Sequence, residues 1–468
     1  YPAVSAGQGK YEKTKKEKEG QIMLQRQPEF KKWNLMLIIT AFISQFIYSE
    51  MLSDIYNSYY TYLAVDGTVW TRSNMTLPTT IAGYVAIPLL YFAAILLAKT
   101  DNRKVLMIST VIVGVCTILI GFSAGTNFPL FFIAMIINNM AGRVLILAVQ
   151  GVVTNWYISK RGKVMGIYTM AAPLGTAFFP NFLIHMVALT NPDVDPAAGG
   201  VYNFAPIWTV VGIIIIVLGI AFLFTTRTRP DELGLYPDGI IRSKEEIDVL
   251  TRPEPSSWSV GKLLKCPEMW MVTIGTSGWL WVMGGFMSLF VVVMMIEFGV
   301  PPTNSVWYLT FASLLGIVIS FLWGVIDDKF GTPIACRGLS FSYFLMSAAM
   351  LLAVVTHIQP IIYISVVGIA FATGGIPNLT PSVFGYVFGR KQFMHANKVI
   401  GPLSVIISCP ATWVFTKIQE VTGSFKPVYV ICMIAAAISF VAFLFLKKSY
   451  DPERNALKDA AVVGEKKH

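Results

Sequence analysis

Two carboxylates one helical turn apart, Glu50 and Asp54, lie in the first long apolar stretch of the chain. Polar residues recur around them at spacings of three and four, which places the whole set on one face of a helix. These neighbours are Ser53, Asn57, Ser58 and Thr61. Burial favours the protonated form of a carboxylate, so the pair could accept and release a proton. We therefore predict a proton-coupling role for Glu50 and Asp54.

A second interpretation of this pair is that the first helix ends near Ser49 and both acids lie at the membrane surface. The apolar stretch covers residues 33–62, which is longer than the ~20 residues that cross a bilayer. Both interpretations therefore stay open at this point.

Arg143 lies in the middle of another apolar stretch, between Phe128 and Trp156. Asn139, Gln150 and Thr154 share its helical face. In a dry site, a guanidinium offers a planar pair of donors to a carboxylate, and ionisable groups inside a membrane are costly unless they serve a function. We predict that Arg143, Asn139 and Gln150 bind an organic anion. The alternative is an arginine that braces backbone carbonyls or pairs with an acid.

The depths of Glu50 and Arg143 bear on whether they pair. At 1.5 Å of rise per residue, two upright helices would separate them by roughly 15 Å. Direct pairing is therefore not expected.

The seventh and tenth apolar stretches contain GTSGWLWVMGGFMSLF and ATGGIPNLTPSVFGYVFG. Glycine and proline at matching places predict broken helices around a binding site. The candidates to line it are Trp279, Trp281, Phe286, Asn378 and Thr380. The alternative for each one is ordinary helix packing.

Membrane-spanning helices must position these residues. The chain has 468 residues, of which 55% are hydrophobic and 13% are charged. The apolar residues form twelve runs of a length that crosses a bilayer. We predict an all-α membrane protein with a lipid bilayer as its solvent.

The basic residues indicate the orientation. All but four of the 36 lysines and arginines lie in the two terminal tails and in the connections after even-numbered spans. The exceptions are Arg72, Arg143, Lys417 and Lys426. The positive-inside rule then places both termini in the cytoplasm, in a multi-pass protein of the cell membrane. The net charge of +10 follows from this topology, so no nucleic-acid partner is expected.

Five cysteines are scattered without a CxxC pair, and the histidines do not cluster at metal-binding spacing. We predict no metal, no cofactor and no disulfide framework. A nucleophile–base set is also missing, so an enzyme is not expected.

The chain divides at a polar linker. We predict a disordered tail over 1–32, a six-helix half over 33–226, a linker over 227–266 with a short amphipathic helix near 244–250, a second half over 267–447, and a tail over 448–468.

The connections repeat between the halves. WGVIDDKFGTP, after the eighth span, contains Gly324, Asp328, Lys329 and Gly331, and LAKTDNRKVL, after the second span, keeps Asp101. NWYISKRGKVMGIYTMAAPLG and YVFGRKQFMHANKVIGPLS form a second pair. At these residues the chain resembles the major facilitator superfamily, with its G-x-x-x-D-[RK]-x-G loops. The resemblance implies twelve helices in two pseudo-symmetric halves that work as a secondary transporter by alternating access. It also implies that these five residues stabilise and gate the bundle.

NWYISKRGKVMGI and RPDELGLYPDG resemble the oxalate/formate antiporter and monocarboxylate transporter group. That group balances a doubly charged substrate with cations in the eighth and eleventh spans. Here the eighth span has no Lys or Arg, and the eleventh has only Lys398 and Lys417 at its edges. We therefore expect a monomeric transporter of a monocarboxylate, coupled to a proton or a counter-anion. Walls rich in Trp and Met suit a bulky, amphipathic one.

Two other functions stay open. In a multidrug or lipophilic-cation exporter, Glu50 and Asp54 would attract the cation and Arg143 would serve coupling. A non-transporting membrane receptor or enzyme is the alternative from another class.

Overall fold

The computed structural model describes residues 27, 29–54, 56–65, 67–158, 161–194, 202–241, 259–388 and 393–446. Most of the N-terminal tail, the helix expected near 244–250 and the C-terminal tail lie outside the described residues. So does the side chain of Asp54.

The predicted all-helical architecture is confirmed, with twelve helices long and apolar enough to cross a membrane. We number them as spans in chain order, and three of them consist of more than one helical segment. Span 1 is Phe30–Ser49, a π-helical turn Glu50–Asp54 and Tyr56–Tyr62; span 2 is Arg72–Lys99; span 3 is Asn102–Ser123; span 4 is Phe128–Trp156; span 5 is Arg161–Thr169 and Ala171–Thr190; span 6 is Ala205–Thr225. Span 7 is Pro267–Phe298; span 8 is Pro302–Phe330; span 9 is Thr332–Thr356; span 10 is Ile362–Phe388; span 11 is Phe393–Ser408 and Ala411–Thr422; span 12 is Lys426–Leu444.

Side-chain caps start several of these helices. Thr71, Asp101 and Asn127 each accept a hydrogen bond from a first-turn backbone amide of spans 2, 3 and 4. Such caps satisfy amides that have no partner within the helix. Large apolar side chains such as Phe321 and Val421 are exposed on the outside of the bundle, where lipid would cover them. The bundle is therefore held by its buried faces and solvated by hydrocarbon.

The two sets of six spans pack in the same way. Span 3 packs against spans 4 and 6, and span 9 packs against spans 10 and 12. Span 2 packs on span 4 as span 8 packs on span 10. Spans 2 and 11 and spans 5 and 8 join the halves. This correspondence is the pseudo-symmetry that the repeated connections predict.

The halves meet at one end of the bundle. We call the end at which spans 2, 4, 6, 8 and 10 finish the linker end, and the opposite one the far end. Spans 2 and 11 are hydrogen-bonded from Ser73–Glu420 at the far end to Tyr84–Ile406 near the middle. Nearer the linker end, a cavity lies between span 5 of the first half and spans 8 and 10 of the second. The structure is therefore open at the linker end.

The broken helices do not lie where the glycines and prolines predict. Spans 7 and 10 are continuous helices, so that prediction is wrong. Their glycines serve close packing instead: a Cβ on Gly374 would collide with the backbone of Gly316 in span 8, and one on Gly278 with Ser439 in span 12. Spans 1, 5 and 11 are the interrupted ones, and Pro410 lies at the interruption in span 11.

Candidate functional site

Glu50 opens the π-helical turn of span 1, and its side chain is fully buried. Its carboxylate lies against Gly175 of span 5, where any Cβ would overlap it. Asn138 of span 4 donates to the carbonyl of Met51 at 2.9 Å and so supports the widened turn. Glu50 therefore lies inside the first half and not at its surface. Asp54 ends the same turn.

Arg143 lies at a depth similar to that of Glu50. Leu52, two residues beyond Glu50, fills the space beside Gly142, the residue before Arg143. The predicted 15 Å separation in depth is therefore wrong, because that arithmetic treats both helices as upright. The structure nevertheless shows no ion pair between Glu50 and Arg143 among the described residues.

The guanidinium of Arg143 lies at the boundary between the halves. The side chain is half-buried, and its Nε is inaccessible to solvent without a hydrogen-bond partner among the described residues. Its charge is close enough to act on the thiol of Cys409, at the interruption of span 11. A buried guanidinium N–H without an acceptor is costly unless a ligand supplies one. The arrangement suits an anion held between the halves.

The other predicted residues of span 4 separate. Gln150 is exposed and lines an open cavity of about 770 Å³ at the linker end. Thr154 lines the same cavity. Asn139 is buried, and its amide donates to Met135 one turn back at 3.1 Å. Gln150 and Thr154 therefore lie beside the linker, apart from Arg143, and Asn139 is buried.

The candidates of span 7 also separate. Trp279 is buried inside the second half, where its indole N–H donates to Ser340 at 2.8 Å and its ring packs on Phe443. Trp281 is half-buried and donates to the carbonyl of Ile407 at 2.6 Å, beside the interruption of span 11. Of the two, Trp281 lies closer to the junction of the halves.

Asn378 of span 10 lines a cavity of about 620 Å³ between spans 5, 8 and 10. Its amide donates to the hydroxyl of Ser320 in span 8 at 2.8 Å. The remaining walls are largely apolar and include Met170, Pro173 and Phe321. Phe321 is 78% exposed, so the cavity reaches the lipid-facing surface as well as the linker end.

The residues of the repeated loops lie at the linker end. Asp101 accepts from the hydroxyl of Thr228 and from the amide of Arg103, and it pairs with the Arg103 guanidinium at 3.1 Å. Partial burial alone would raise the pKa of Asp101, but these hydrogen bonds and the arginine charge outweigh it and lower that pKa below its ordinary value. Arg103 belongs to the first half and Thr228 to the start of the linker, so neither partner belongs to the second half.

In the second half, Gly324 and Asp328 line the cavity between spans 5, 8 and 10. Gly331 has a φ of +89°, which favours glycine, and it joins spans 8 and 9. Lys329 lies 5.8 Å above the ring of Phe330. Within the part of the chain that the structure describes, neither Asp328 nor Lys329 bonds to the first half through its side chain.

Sequence reasoning missed the far-end contact between Ser73 and Glu420. Ser73 lies beside Arg72 at a predicted loop, and Glu420 is one acid near the end of a span. Nothing in either segment predicts that they meet across 347 residues of sequence.

Comparison with known proteins adds the family. The family model described as Major Facilitator Superfamily matches residues 34–401. Among curated proteins, none matches this chain in sequence.

Solved structures of membrane transporters share the fold. A bacterial homolog of the human lysosomal transporter Spinster, in an inward-facing and occupied conformation, has a TM-score of 0.61 at 14% identity, with 89% of this chain and 97% of that chain covered. A D-xylose–proton symporter has a TM-score of 0.63 at 12% identity, with 88% of this chain and 97% of that chain covered. At these identities the likeness concerns the fold alone.

Proposed function

This chain belongs to the Major Facilitator Superfamily and is a membrane transporter, not an enzyme; we propose that it carries a small organic anion, specifically a monocarboxylate, together with a proton. Transport proceeds by alternating access of a site between the two halves. The observation that carries the proposal is Arg143, a cation at the junction of the halves whose buried Nε has no acceptor among the described residues.

A carboxylate fits this guanidinium better than a cation or a sugar would. Arg143 offers parallel N–H donors that match the two oxygens of a carboxylate. Gln150, seven residues further along the same helical face, would add amide donors for further oxygens. The strings NWYISKRGKVMGI and RPDELGLYPDG, which resemble the oxalate/formate and monocarboxylate group, support the same class of substrate.

A single cation argues for a single substrate charge. Within spans 8 and 11, Lys329 and Lys398 are exposed in the turns nearest the linker end, and Lys417 near the far end is paired with Glu420 at 3.4 Å. None of these three lysines lies beside Cys409 at the junction, as Arg143 does. The largely apolar cavity beside Asn378 offers room for the bulky, amphipathic part of such an anion.

Proton coupling is assigned to Glu50, with Asp54 as its partner in the sequence. Glu50 is fully buried at the depth of Arg143. Loading or releasing the anion at Arg143 would change the electrostatic field at this carboxylate and so couple proton transfer to anion movement. With the basic tails in the cytoplasm, the open linker end would be the inward-facing side.

Uptake into proteoliposomes tests the proposal. A labelled monocarboxylate should accumulate when the pH gradient is imposed, and Arg143→Ala should abolish that uptake. Arg143→Lys keeps the charge but loses the planar donor pair, so it should retain only a small part of the rate. The matched control is Arg103→Lys, because Arg103 pairs with Asp101 inside the first half.

The cation-exporter function remains the second candidate, because Glu50 is a buried acid in the same region. Export of cationic dyes, with no uptake of a labelled monocarboxylate, would favour it. A thermal-shift screen across carboxylates and organic cations separates the two directly: stabilisation by cations only would overturn the anion proposal.

A further inference from the structure

The two halves are joined at the far end by a carboxylate on a helix terminus. Glu420 of span 11 accepts from the backbone amide of Ser73 at 2.7 Å and from the Ser73 hydroxyl at 2.6 Å. Ser73 lies in the first turn of span 2. The side chain of Glu420 is only 14% exposed. An acid of the second half therefore completes the cap of a helix in the first half.

This contact differs in kind from the other described hydrogen bonds between the halves. Thr76 bonds to Thr416 at 3.1 Å, Thr80 to the carbonyl of Cys409 at 3.3 Å, and Asn181 to Thr310 at 3.5 Å. These are pairs of neutral groups. The Ser73–Glu420 bonds involve an ionised acceptor at the positive end of a helix dipole, which makes each of them stronger.

Its position gives the contact a role in the transport cycle. In alternating access the halves must part at the far end when the linker end closes. Parting would leave the Ser73 amide without its acceptor and would leave Glu420 with only Lys417 of its own span as a partner until water replaces Ser73. We propose that Glu420 is a positioning residue that latches the far end shut and thereby favours the state open at the linker end.

A carboxylate that caps a helix within one half provides a matched comparison. Glu297 of span 7 accepts from the backbone amide of Phe425 at 3.1 Å, at the start of span 12. Both partners belong to the second half, so this bond need not break during the cycle. The same substitution at positions 297 and 420 therefore removes the same chemistry with and without a link between the halves.

Hydrogen–deuterium exchange of the full-length protein tests the latch without any substrate. In Glu420→Gln, amides of 72–80 and 411–422 should exchange faster, and amides at the linker end in 151–158 and 324–330 should become protected. The population of the state open at the linker end, relative to the state open at the far end, should fall roughly tenfold. Losing a hydrogen bond to a charged group changes such an equilibrium by about this factor. Glu297→Gln should speed exchange only near the start of span 12.

The reciprocal protection at the linker end decides the outcome. If Glu420→Gln speeds exchange at the far end alone, as Glu297→Gln does locally, Glu420 is a structural cap and the proposal is overturned. If Glu420→Gln does not fold, Ser73→Ala removes one of the two bonds and should produce a smaller shift with the same reciprocal pattern. No change in either pattern for Ser73→Ala would also overturn it. Because no substrate is added, a failure here is independent of the anion proposal.

Discussion

The far end and the linker end of this transporter use their polar residues in opposite ways. At the far end, Ser73, Thr76 and Thr80 of span 2 bond to span 11 of the other half. At the linker end, Asp101 bonds to Arg103 of its own half and to Thr228 at the start of the linker, and to no residue of the other half among those described. The far-end groups hold the halves together, whereas Asp101 stabilises one half by itself.

This difference explains which state the structure shows. A contact between the halves stabilises the protein only in the state in which its two partners meet, so it favours that state. A charge that is satisfied within one half favours neither state. The far-end contacts therefore set the balance here, and the linker-end residues are available for new contacts when that end closes.

Adding a methyl group at the tightly packed junction of the halves should have the largest effect on stability. A Cβ on Gly83 of span 2 would overlap the sulfur of Cys409 in span 11. We expect Gly83→Ala to destabilise this state by about 1–3 kcal/mol, as overpacking does. Thermal unfolding and the exchange rates of spans 2 and 11 measure this. The double variant Gly83→Ala/Cys409→Ala removes the overlapping atom and should restore most of the loss.

The linker end supplies the control for this comparison. A Cβ on Gly324 of span 8 would meet nothing within 4 Å. Gly324→Ala should therefore leave the stability unchanged or raise it slightly through helix propensity. Equal losses at positions 83 and 324 would show that the two ends do not differ as described.

Asp101→Ala should have the next largest effect, and it should act on stability rather than on the balance of states. The substitution removes a helix cap and its ionic partner, which costs about 1–2 kcal/mol. Because neither partner belongs to the second half, exchange rates at the far end should not change. Asp231→Ala, which alters an exposed acid of the same linker-end cavity, is the control. If Asp101→Ala changed the balance between the state open at the linker end and the state open at the far end, as seen in amide exchange, it would contradict the comparison.

The contribution of Asp101 should depend on pH in a defined direction. The pKa of Asp101 is lowered in the folded protein, so its stabilising effect is complete above the ordinary carboxyl pKa of about 3.9. It is lost as the pH falls through the lowered value. The stability difference between wild type and Asp101→Ala should therefore be constant at neutral pH and shrink below about pH 4. A difference that grows on acidification would contradict the assignment.

The architecture could be predicted from the sequence because the bilayer imposes it. Hydropathy locates twelve spans, and the repeated loops around Asp101 and Asp328 indicate two similar halves. The place of the broken helices could not be predicted in the same way. Glycines of spans 7 and 10 pack against neighbouring helices, whereas the π-helical turn Glu50–Asp54 contains neither glycine nor proline.

The geometry of the site depends on tilt and partner choice, which one sequence does not encode locally. Arg143 could be recognised as a buried charge from its position alone, but its depth relative to Glu50 required the contact between Leu52 and Gly142. Trp279 and Trp281 are two residues apart in one helix, and only their partners separate the buried one from the one at the junction.

The smallest expected effect is at a single threonine pair. Both hydroxyls donate to a carbonyl of their own helix, Thr76 to Ser73 at 2.9 Å and Thr169 at the linker end to Met165 at 2.8 Å. Only Thr76 also bonds across the halves, to Thr416 at 3.1 Å. Thr76→Val should cost about 0.5–1 kcal/mol, because Thr416 keeps its bonds to Thr412 and Trp413. Thr169→Val should cost less in thermal unfolding, since no contact between the halves is lost. Only Thr76→Val should also speed amide exchange at the far end. The same response in both variants would mean that the bond between the halves does not contribute to stability.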